Sequence, residues 1–309
     1  MVASVGAPGR RSSDGAHVLA APPFGNPADA SPRLVDELAN ADVVAAEDTR
    51  RLARLCAEVG VQVSARVVSL FEGNERRRTS ELVEAVRDGA RVVLVTDAGM
   101  PLVSDPGYLL VAACAAADLP VTVVPGPSAA LAALAVSGLA TDRFCVEGFL
   151  PRKPSERARR LADLAYEPRT LVVFESPRRT AATLRAMRDA FGAGRPAAVC
   201  RELTKTHEEV RRGTLADLAD TTDERVLGEV TIVVEGFVRA RAQAHGGHVG
   251  GGGADAESAT LDPVALVAQR EQAGLSRKEA IADVAAELGR PKREVYAAVV
   301  AARDSADEE

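Results

Sequence analysis

Two polar segments stand directly after predicted buried strands, and they hold the first residues that could do chemistry. The apolar run at residues 92–95 ends in Thr96-Asp97-Ala98-Gly99-Met100, and a strand at 42–46 ends in Glu47-Asp48-Thr49-Arg50. In an open α/β sheet, ligands bind outside the carboxyl ends of the strands. A carboxylate there accepts hydrogen bonds from an amine or hydroxyl, and a glycine permits close backbone approach. We therefore predict a ligand site at this edge, although helix capping by Asp97 and Asp48 stays an alternative.

The elements that must position these residues alternate along the chain. Residues 17–137 read as strands alternating with helices, which predicts an N-terminal α/β domain with a parallel sheet and helices on both faces. The pattern includes a helix over 105–117. Residues 138–238 read as a second α/β domain with a mixed sheet, in which 209–214 and 230–235 alternate like paired strands. The remaining predicted segments are a disordered extension at 1–16, a flexible linker at 239–260, a helical module at 261–303 and an acidic tail at 304–309.

Composition bounds the possible functions. The 309 residues are 47% hydrophobic, which is enough for a core, and the net charge of −6 gives no global basic field for nucleic acid. The four cysteines show no C-x-x-C spacing, which argues against zinc or a disulfide scaffold and favours reduced thiols in the cytoplasm. No metal site is expected. The uncharged stretch at 119–141 is split by Pro125-Gly126-Pro127, so we predict soluble core and no membrane span.

The motifs in their order resemble a known class of enzyme. No strand is followed by G-x-G-x-x-G, which disfavours an ordinary dinucleotide fold. The segments Ala46-Glu47-Asp48-Thr49-Arg50, Thr96-Asp97-Ala98-Gly99-Met100-Pro101, Ser104-Asp105-Pro106-Gly107 and Val124-Pro125-Gly126-Pro127-Ser128 resemble the tetrapyrrole-methylase class of S-adenosylmethionine-dependent methyltransferases. Three further segments are similar to members of this class that methylate the ribose 2′-hydroxyl of a cytidine in the 16S rRNA decoding centre. They are Gly148-Phe149-Leu150-Pro151-Arg152-Lys153, Phe174-Glu175-Ser176-Pro177-Arg178-Arg179 and Arg201-Glu202-Leu203-Thr204-Lys205-Thr206-His207-Glu208.

This resemblance covers roughly residues 17–303 and implies two α/β domains with a cofactor cleft between them, plus a C-terminal helical module. It also implies S-adenosylmethionine as cofactor, 16S rRNA in the small ribosomal subunit as substrate, and a homodimer. The cofactor residues that it implies are Gly25, Asn26, Asp97, Ala98, Gly99, Met100, Pro125, Gly126, Pro127 and Ser128. One departure concerns the first loop, where Pro22-Pro23-Phe24 replaces the threonine-proline-isoleucine that the family usually carries.

Methyl transfer to a ribose hydroxyl needs a group that removes the hydroxyl proton. The candidates are Lys205, which we place first, and Glu202, Glu175 and His207. A lysine acts as a base only where burial or a neighbouring cation lowers its pKa. The alternative, in which Arg201, Glu202 and Lys205 form an ion-pair network that supports the fold, stays open.

Local basic clusters offer contacts to RNA phosphates because several follow predicted strands at the same sheet edge. The candidates are Arg50, Arg76, Arg77, Arg78, Arg152, Lys153, Arg178 and Arg179. The alternative for each is a solvated helix surface. The chain has seven phenylalanines and three tyrosines, so we expect base stacking to be minor.

Two other functions compete with RNA methylation. The first is methylation of a small tetrapyrrole, which needs fewer cations over a smaller area. The second is a non-enzymatic nucleic-acid-binding protein, suggested by the helix-turn-helix-like pattern at 276–302. That unit carries about as many acidic as basic residues, which counts against DNA binding and makes it a poor phosphate binder by itself.

Overall fold

The computed structural model describes residues 15–222, 227–238, 263–272, 276–288 and 291–306. The predicted linker at 239–260 and nearly all of the predicted N-terminal extension lie outside these residues, as does the end of the predicted tail. The chain divides into two compact units, residues 1–247 and 248–309. The predicted boundary between the two α/β domains falls inside the first unit and stays a prediction.

The first sheet is parallel throughout, as predicted. Its five strands lie in the order β3-β2-β4-β1-β5. They are β1 (Ala16–Ala20), β2 (Val43–Ala46), β3 (Arg66–Ser69), β4 (Arg91–Val95) and β5 (Val121–Val124). The central strands are buried, since β1 and β2 have no exposed residue. The carboxyl ends of β2 and β4 therefore lie side by side, and the polar segments after them meet.

Helices cover both faces of this sheet, which confirms the prediction. They are α1 (Pro32–Asn40), α2 (Thr49–Val59), α3 (Glu75–Arg87) and α4 (Tyr108–Ala116). Leu34 and Leu52 of α1 and α2 pack on one face, and Leu82 and Leu110 of α3 and α4 pack on the other. Ser31 caps α1, because its hydroxyl accepts a hydrogen bond from the Leu34 N–H at 3.1 Å.

The second sheet is mixed, as predicted, with the strand order β6-β7-β10-β8-β9. Its strands are β6 (Phe144–Phe149), β7 (Thr170–Glu175), β8 (Pro196–Arg201), β9 (Glu209–Thr214) and β10 (Val230–Val234). Its helices are α5 (Ala129–Ser137), α6 (Pro154–Leu164), α7 (Thr180–Phe191) and α8 (Leu215–Thr221). Although α5 follows the first sheet in the chain, its Ala133 and Leu134 pack with Val172 and Val233 of the second.

Two details of the sequence prediction are wrong. Strands β9 and β10 do not pair, because β8 lies between them and pairs with both. Alternation reports that one face of a strand is buried and does not identify its neighbour. The helix predicted from residue 105 begins at Tyr108, because the turn before it holds Leu102 and Ser104 at φ 69° and Gly107 at φ 121°. This turn leaves Asp105 outside the helix.

The second unit contains the predicted helical module. Its helices are α9 (Pro263–Gln272), α10 (Arg277–Leu288) and α11 (Lys292–Ala306). Val267, Ala280, Val284 and Val295 form its core. The last helix runs past the predicted end at residue 303. None of the helices that the structure describes has the length and apolar character needed to span a bilayer.

Candidate active site

A cleft of about 420 Å³ opens where the carboxyl ends of β2 and β4 face the end of β7 and the start of β10. This volume lies within the usual range for small-molecule sites, roughly 300–1,000 Å³. One part of its wall is acidic, formed by Glu47, Asp97 and Asp105. Another part is apolar and aromatic, formed by Phe24, Val103, Phe149 and Phe174. The rings of Phe149 and Phe174 are 5.8 Å apart, which is an ordinary packing distance.

The acidic wall is held by hydrogen bonds between two strand ends. Asp48 caps α2, since its carboxylate accepts from the Arg50 N–H at 2.8 Å. The Asp48 N–H donates to the Asp97 carboxylate at 3.2 Å, and the Asp97 N–H donates to the Glu47 carboxylate at 3.2 Å. Arg51 Nε lies 3.4 Å from Asp97 Oδ2. The sequence left helix capping and ligand binding open for these two aspartates. The structure divides the two roles, because Asp48 caps a helix and Asp97 faces the cleft.

Asp105 differs from the other two acids because its carboxylate has no hydrogen-bond or ion-pair partner among the described residues. Burial, together with the charges of Glu47 and Asp97, raises its pKa to about 7. Burial also raises the pKa of Asp97, an effect that Arg51 opposes. The pKa of Glu47 is raised by burial as well. A cationic ligand in this cleft would relieve the crowding of negative charge.

The turn that carries Asp105 reaches the second sheet at Gly148. This glycine lies at a bulge in β6 with φ 67°, and a Cβ atom there would come within 2.8 Å of the Ser104 hydroxyl. The close approach brings the Ser104-Asp105 turn beside Phe149, so the cleft has walls from both sheets.

The predicted cofactor residues divide into two groups. Asp97, Ala98, Gly99, Met100 and Ser128 line the cleft, and Gly99 adopts φ 73°. The others are not among its lining residues in the part of the chain that the structure describes: Gly25, Asn26, Pro125, Gly126 and Pro127. Contacts of these residues fix the backbone of the loops beside the cleft instead. Gly126 packs against Ala21, and the Asn26 side chain accepts from the Ala28 N–H at the short turn Pro27–Asp29.

Lys205 belongs to an ion-pair network where the first loop meets the second sheet. Its ammonium donates to Glu202 at 2.9 Å and to Glu229 at 3.0 Å. Burial alone would lower the pKa of Lys205, but these two hydrogen bonds outweigh it and hold the pKa above its ordinary value. Lys205 therefore stays protonated, which favours the supporting network over the general base.

The same loop joins the two sheets through Thr204. Its hydroxyl accepts from the Asn26 N–H at 3.2 Å, and a side chain on Gly25 would collide with it. Glu202 and Thr204 adopt φ 50° and 66°, in the left-handed region that non-glycine residues rarely occupy. This contact supplies a hydroxyl near the position where the family usually carries a threonine.

The other two catalytic candidates have different surroundings. The Glu175 side chain is fully buried and accepts from the Ser176 N–H and the Thr183 hydroxyl, both at 2.7 Å. Arg179 lies 3.4 Å from it and donates to the carbonyls of Leu150 and Pro151, each at 3.0 Å. Glu175 and Arg179 thus tie the end of β7 to the end of β6. His207 is exposed and does not line the cleft.

The basic candidates also divide by their contacts. Arg50 pairs with Asp48 at 2.8 Å, Arg78 with Glu81 at 2.7 Å and Lys153 with Glu156 at 3.0 Å. Arg179 is used inside the fold, as described above. The remaining four are exposed and form no ion pair with any residue that the structure describes: Arg76, Arg77, Arg152 and Arg178.

The cleft also contains polar residues that are not among the predicted site residues, including Glu47, Arg51 and Asp105. The first and third lie inside the motifs, but a motif does not tell which of its side chains turns inward. Arg51 lines the cleft while its neighbour Arg50 turns to Asp48, a difference set by their positions on the first turn of α2. The described residues contain no group of three or more side chains that could hold a metal ion.

The residues present fit S-adenosylmethionine. Its ammonium and sulfonium groups are cations that match Glu47, Asp97 and Asp105, and its carboxylate matches Arg51. The aromatic wall suits an adenine ring. Gly99 lines the cleft in a left-handed conformation, with φ 73°, that favours glycine.

Comparison with known proteins agrees with this fit. A family model described as Tetrapyrrole (Corrin/Porphyrin) Methylases matches residues 18–219, so the fold and the cleft define an S-adenosylmethionine-dependent methyltransferase of that class. Solved structures share the fold: the methyltransferase CobJ at TM-score 0.55 and 23% identity, and cobalt precorrin-4 methyltransferase CbiF at 0.51 and 21%. They cover 72% and 74% of this chain and 95% and 98% of their own.

Curated relatives narrow the class. The chain is 49% identical over 292 residues to "Ribosomal RNA small subunit methyltransferase I" of Mycobacterium tuberculosis (strain CDC 1551 / Oshkosh), covering 94% of this chain and 96% of that protein. The protein of the same name from Synechocystis sp. is 38% identical over 90% of this chain and 95% of its own length. The chain belongs to the ribosomal RNA small subunit methyltransferase I family.

Proposed function

We propose that the chain methylates the ribose 2′-hydroxyl of a cytidine in the 16S rRNA decoding centre. The observation that carries this proposal is the cleft, which pairs an acidic wall for a cationic methyl donor with unpaired arginines outside it. The names of the curated relatives support a small-subunit rRNA substrate. The choice of cytidine and of the 2′-hydroxyl rests on the motif resemblance.

In this proposal Asp97 accepts the ammonium group of S-adenosylmethionine and Arg51 binds its carboxylate. Ala98, Gly99 and Met100 offer backbone groups, and Ser128 closes the opposite side. Gly25, Asn26 and Pro125-Gly126-Pro127 shape the loops without contacting the cofactor. Bound in this way, S-adenosylmethionine supplies an electrophilic methyl group on a sulfonium.

Asp105 is the residue best suited to accept the proton of the ribose hydroxyl. Its carboxylate lines the cleft, carries no protein partner among the described residues, and has a pKa of about 7. A general base works best when its pKa lies near the working pH. Lys205, in contrast, is held as a cation by Glu202 and Glu229. Glu175 is committed to Ser176, Thr183 and Arg179.

The unpaired arginines favour RNA over a small tetrapyrrole. Arg76, Arg77, Arg152 and Arg178 have no ion-pair partner among the described residues, so phosphates can bind them without breaking an internal contact. The family resemblance further implies a homodimer, and a substrate in the small ribosomal subunit implies the cytoplasm.

Transfer of labelled methyl groups tests this function. The chain is incubated with labelled S-adenosylmethionine and small subunits from a strain that lacks the modification, and in parallel with a tetrapyrrole acceptor. We expect label in the RNA of the subunits and none in the tetrapyrrole. Label in the tetrapyrrole alone would support the small-molecule methylase. Cofactor binding with no transfer to either acceptor would contradict both.

A further inference from the structure

The helical module carries a groove of concentrated positive charge. The first turns of α10 and α11 border it, with Arg277 and Lys278 from the former and Lys292 and Arg293 from the latter. Tyr296, one turn further along α11, lies on the same groove and is 58% exposed. The groove thus combines four cations with an accessible aromatic ring.

The acidic residues nearby do not neutralise this groove. Glu279 is its one acidic lining residue in the described part of the module, and its carboxylate accepts from the Ser276 N–H and hydroxyl at 3.0 and 2.5 Å. Arg277 pairs with Glu271 at 2.8 Å. Lys278, Lys292 and Arg293 form no ion pair with any residue whose side chain the structure describes. Residues 276–302 therefore carry nearly balanced charge in total, but four of the basic side chains lie together on one groove.

The position of these cations is electrostatically unfavourable for the folded module alone. The first turn of a helix carries partial positive charge, which normally favours Asp or Glu there. Each first turn also holds one glutamate, Glu279 or Glu294, but two basic residues precede it in both helices. An anion bound in the groove would therefore interact favourably with these basic side chains and with both helix termini.

We propose that this groove is a second RNA-contact surface, which binds the phosphate backbone and stacks a base on Tyr296. A basic groove with an exposed aromatic residue matches single-stranded RNA, because phosphates bind the cations and every base has a face that stacks. Unpaired cations and a flat ring fit RNA better than an acidic protein surface, which offers nothing for the ring. The inference rests on the proposed rRNA substrate and differs from the expectation, based on the near balance of charge, that the module is a poor phosphate binder.

The test compares full-length variants of equal net charge. The groove variant is Lys278→Gln/Lys292→Gln/Arg293→Gln, and the control is Arg87→Gln/Arg169→Gln/Arg188→Gln, which removes three arginines paired on the surface of the first unit. Binding to small subunits and to protein-free 16S rRNA is measured across salt concentrations, and circular dichroism checks the fold.

We expect the groove variant to bind both partners about tenfold more weakly, and its log–log salt slope to fall by about 2, because each lost phosphate contact removes roughly 0.7–0.9 from the slope. The control variant should keep most of its affinity. Tyr296→Ala should weaken binding by at least about fivefold at an unchanged slope, as expected for loss of stacking.

Unchanged affinity and slope in the folded groove variant would overturn the inference. Weaker binding to subunits with unchanged binding to protein-free rRNA would also overturn it, since the partner would then be a ribosomal protein. Failure of the proposed function would give a different result. The wild-type chain would then bind RNA through the groove, with the salt dependence given above, but would transfer no methyl group to it.

Discussion

The backbone N–H of Asp48 donates a hydrogen bond to the Asp97 carboxylate at 3.2 Å, across the neighbouring ends of β2 and β4. A second hydrogen bond runs in the opposite direction, from the Asp97 N–H to the Glu47 carboxylate. Two loops far apart in the chain therefore fix each other, and the second oxygen of Asp97 is left beside Arg51 at the cleft. A carboxylate held on one side can bind a ligand on the other without reorganising.

Asp97→Asn should weaken S-adenosylmethionine binding with little loss of stability. The amide oxygen can still accept from the Asp48 N–H, but the charge that binds the ammonium is gone. A hydrogen bond to a charged group contributes about 1.5–3 kcal/mol, so calorimetry should give a Kd higher by roughly 10- to 150-fold. Asp163→Asn, an exposed carboxylate on α6, is the matched control. Equal affinities for both variants would remove Asp97 from the cofactor site.

Asp105→Asn should lower kcat by about 10²–10⁴-fold, the usual contribution of a general base. For the wild type, kcat/KM for S-adenosylmethionine, which reports the free enzyme, should fall tenfold per pH unit below about pH 7, where Asp105 becomes protonated. Lys205→Met should keep this acidic limb, because Lys205 is not the base. A wild-type profile that is flat between pH 6 and about 8, where a base of this pKa would titrate, would exclude Asp105.

The same substitution has a predicted effect on stability. The pKa of Asp105 is raised in the folded state above its unfolded value of about 3.9, so the folded protein binds more protons than the unfolded chain between about pH 4 and 7. Stability from this residue is therefore lost as the pH rises to about 7. Urea unfolding should show Asp105→Asn more stable than the wild type at pH 8 and similar to it near pH 4. A variant that is less stable at pH 8 would contradict the raised pKa.

Much of this architecture could be predicted from sequence because it depends on local patterns. Buried β-branched runs, Ser31 before Pro32, and polar segments after strands identify the parallel sheet and its edge. The pairing of β10 with β8 could not be predicted, since alternation shows which face of a strand is buried and does not identify its neighbour. The motifs located the cleft, but whether Arg50 or Arg51 faces it depends on rotation of α2 against the sheet.

The protonation state of Lys205 also could not be predicted from the sequence. Sequence places a lysine near a cleft, but its pKa depends on Glu202 and on Glu229, which is distant in the chain. The Glu202 carboxylate packs against Gly228, which has no side chain to displace it. Such a contact exists only after the second sheet has formed.

Gly25→Ala should weaken cofactor binding although Gly25 does not line the cleft. The added methyl group would collide with Thr204 and push the first loop away from the second sheet. Gly60→Ala is the control, because its Cβ would meet no atom within 4 Å, and its cost is limited to backbone strain of about 1–2 kcal/mol. We expect a raised Kd for Gly25→Ala alone, measured by calorimetry on folded protein. Equal Kd values would show that this loop does not shape the site.

Arg76→Gln/Arg77→Gln should reduce affinity for the small subunit and flatten its salt dependence, while thermal stability and cofactor affinity stay unchanged. The salt slope should fall by up to about 1.8, for two phosphate contacts at roughly 0.9 each. The comparison variant is Arg179→Gln, which should lower stability because Arg179 joins the ends of β6 and β7. An unchanged slope in the double variant would mean that both arginines are only solvated.

The central claim is that this cleft directs methyl transfer to a ribose hydroxyl of 16S rRNA, and the product nucleoside tests it most directly. Small subunits are treated with the chain and deuterated S-adenosylmethionine, and their RNA is digested and analysed by mass spectrometry. We predict a single labelled product, 2′-O-methylcytidine, which forms at least about 10²-fold more slowly when Asp105→Asn replaces the wild type. A label on a base, on another nucleoside, or at equal levels with the variant would contradict the account.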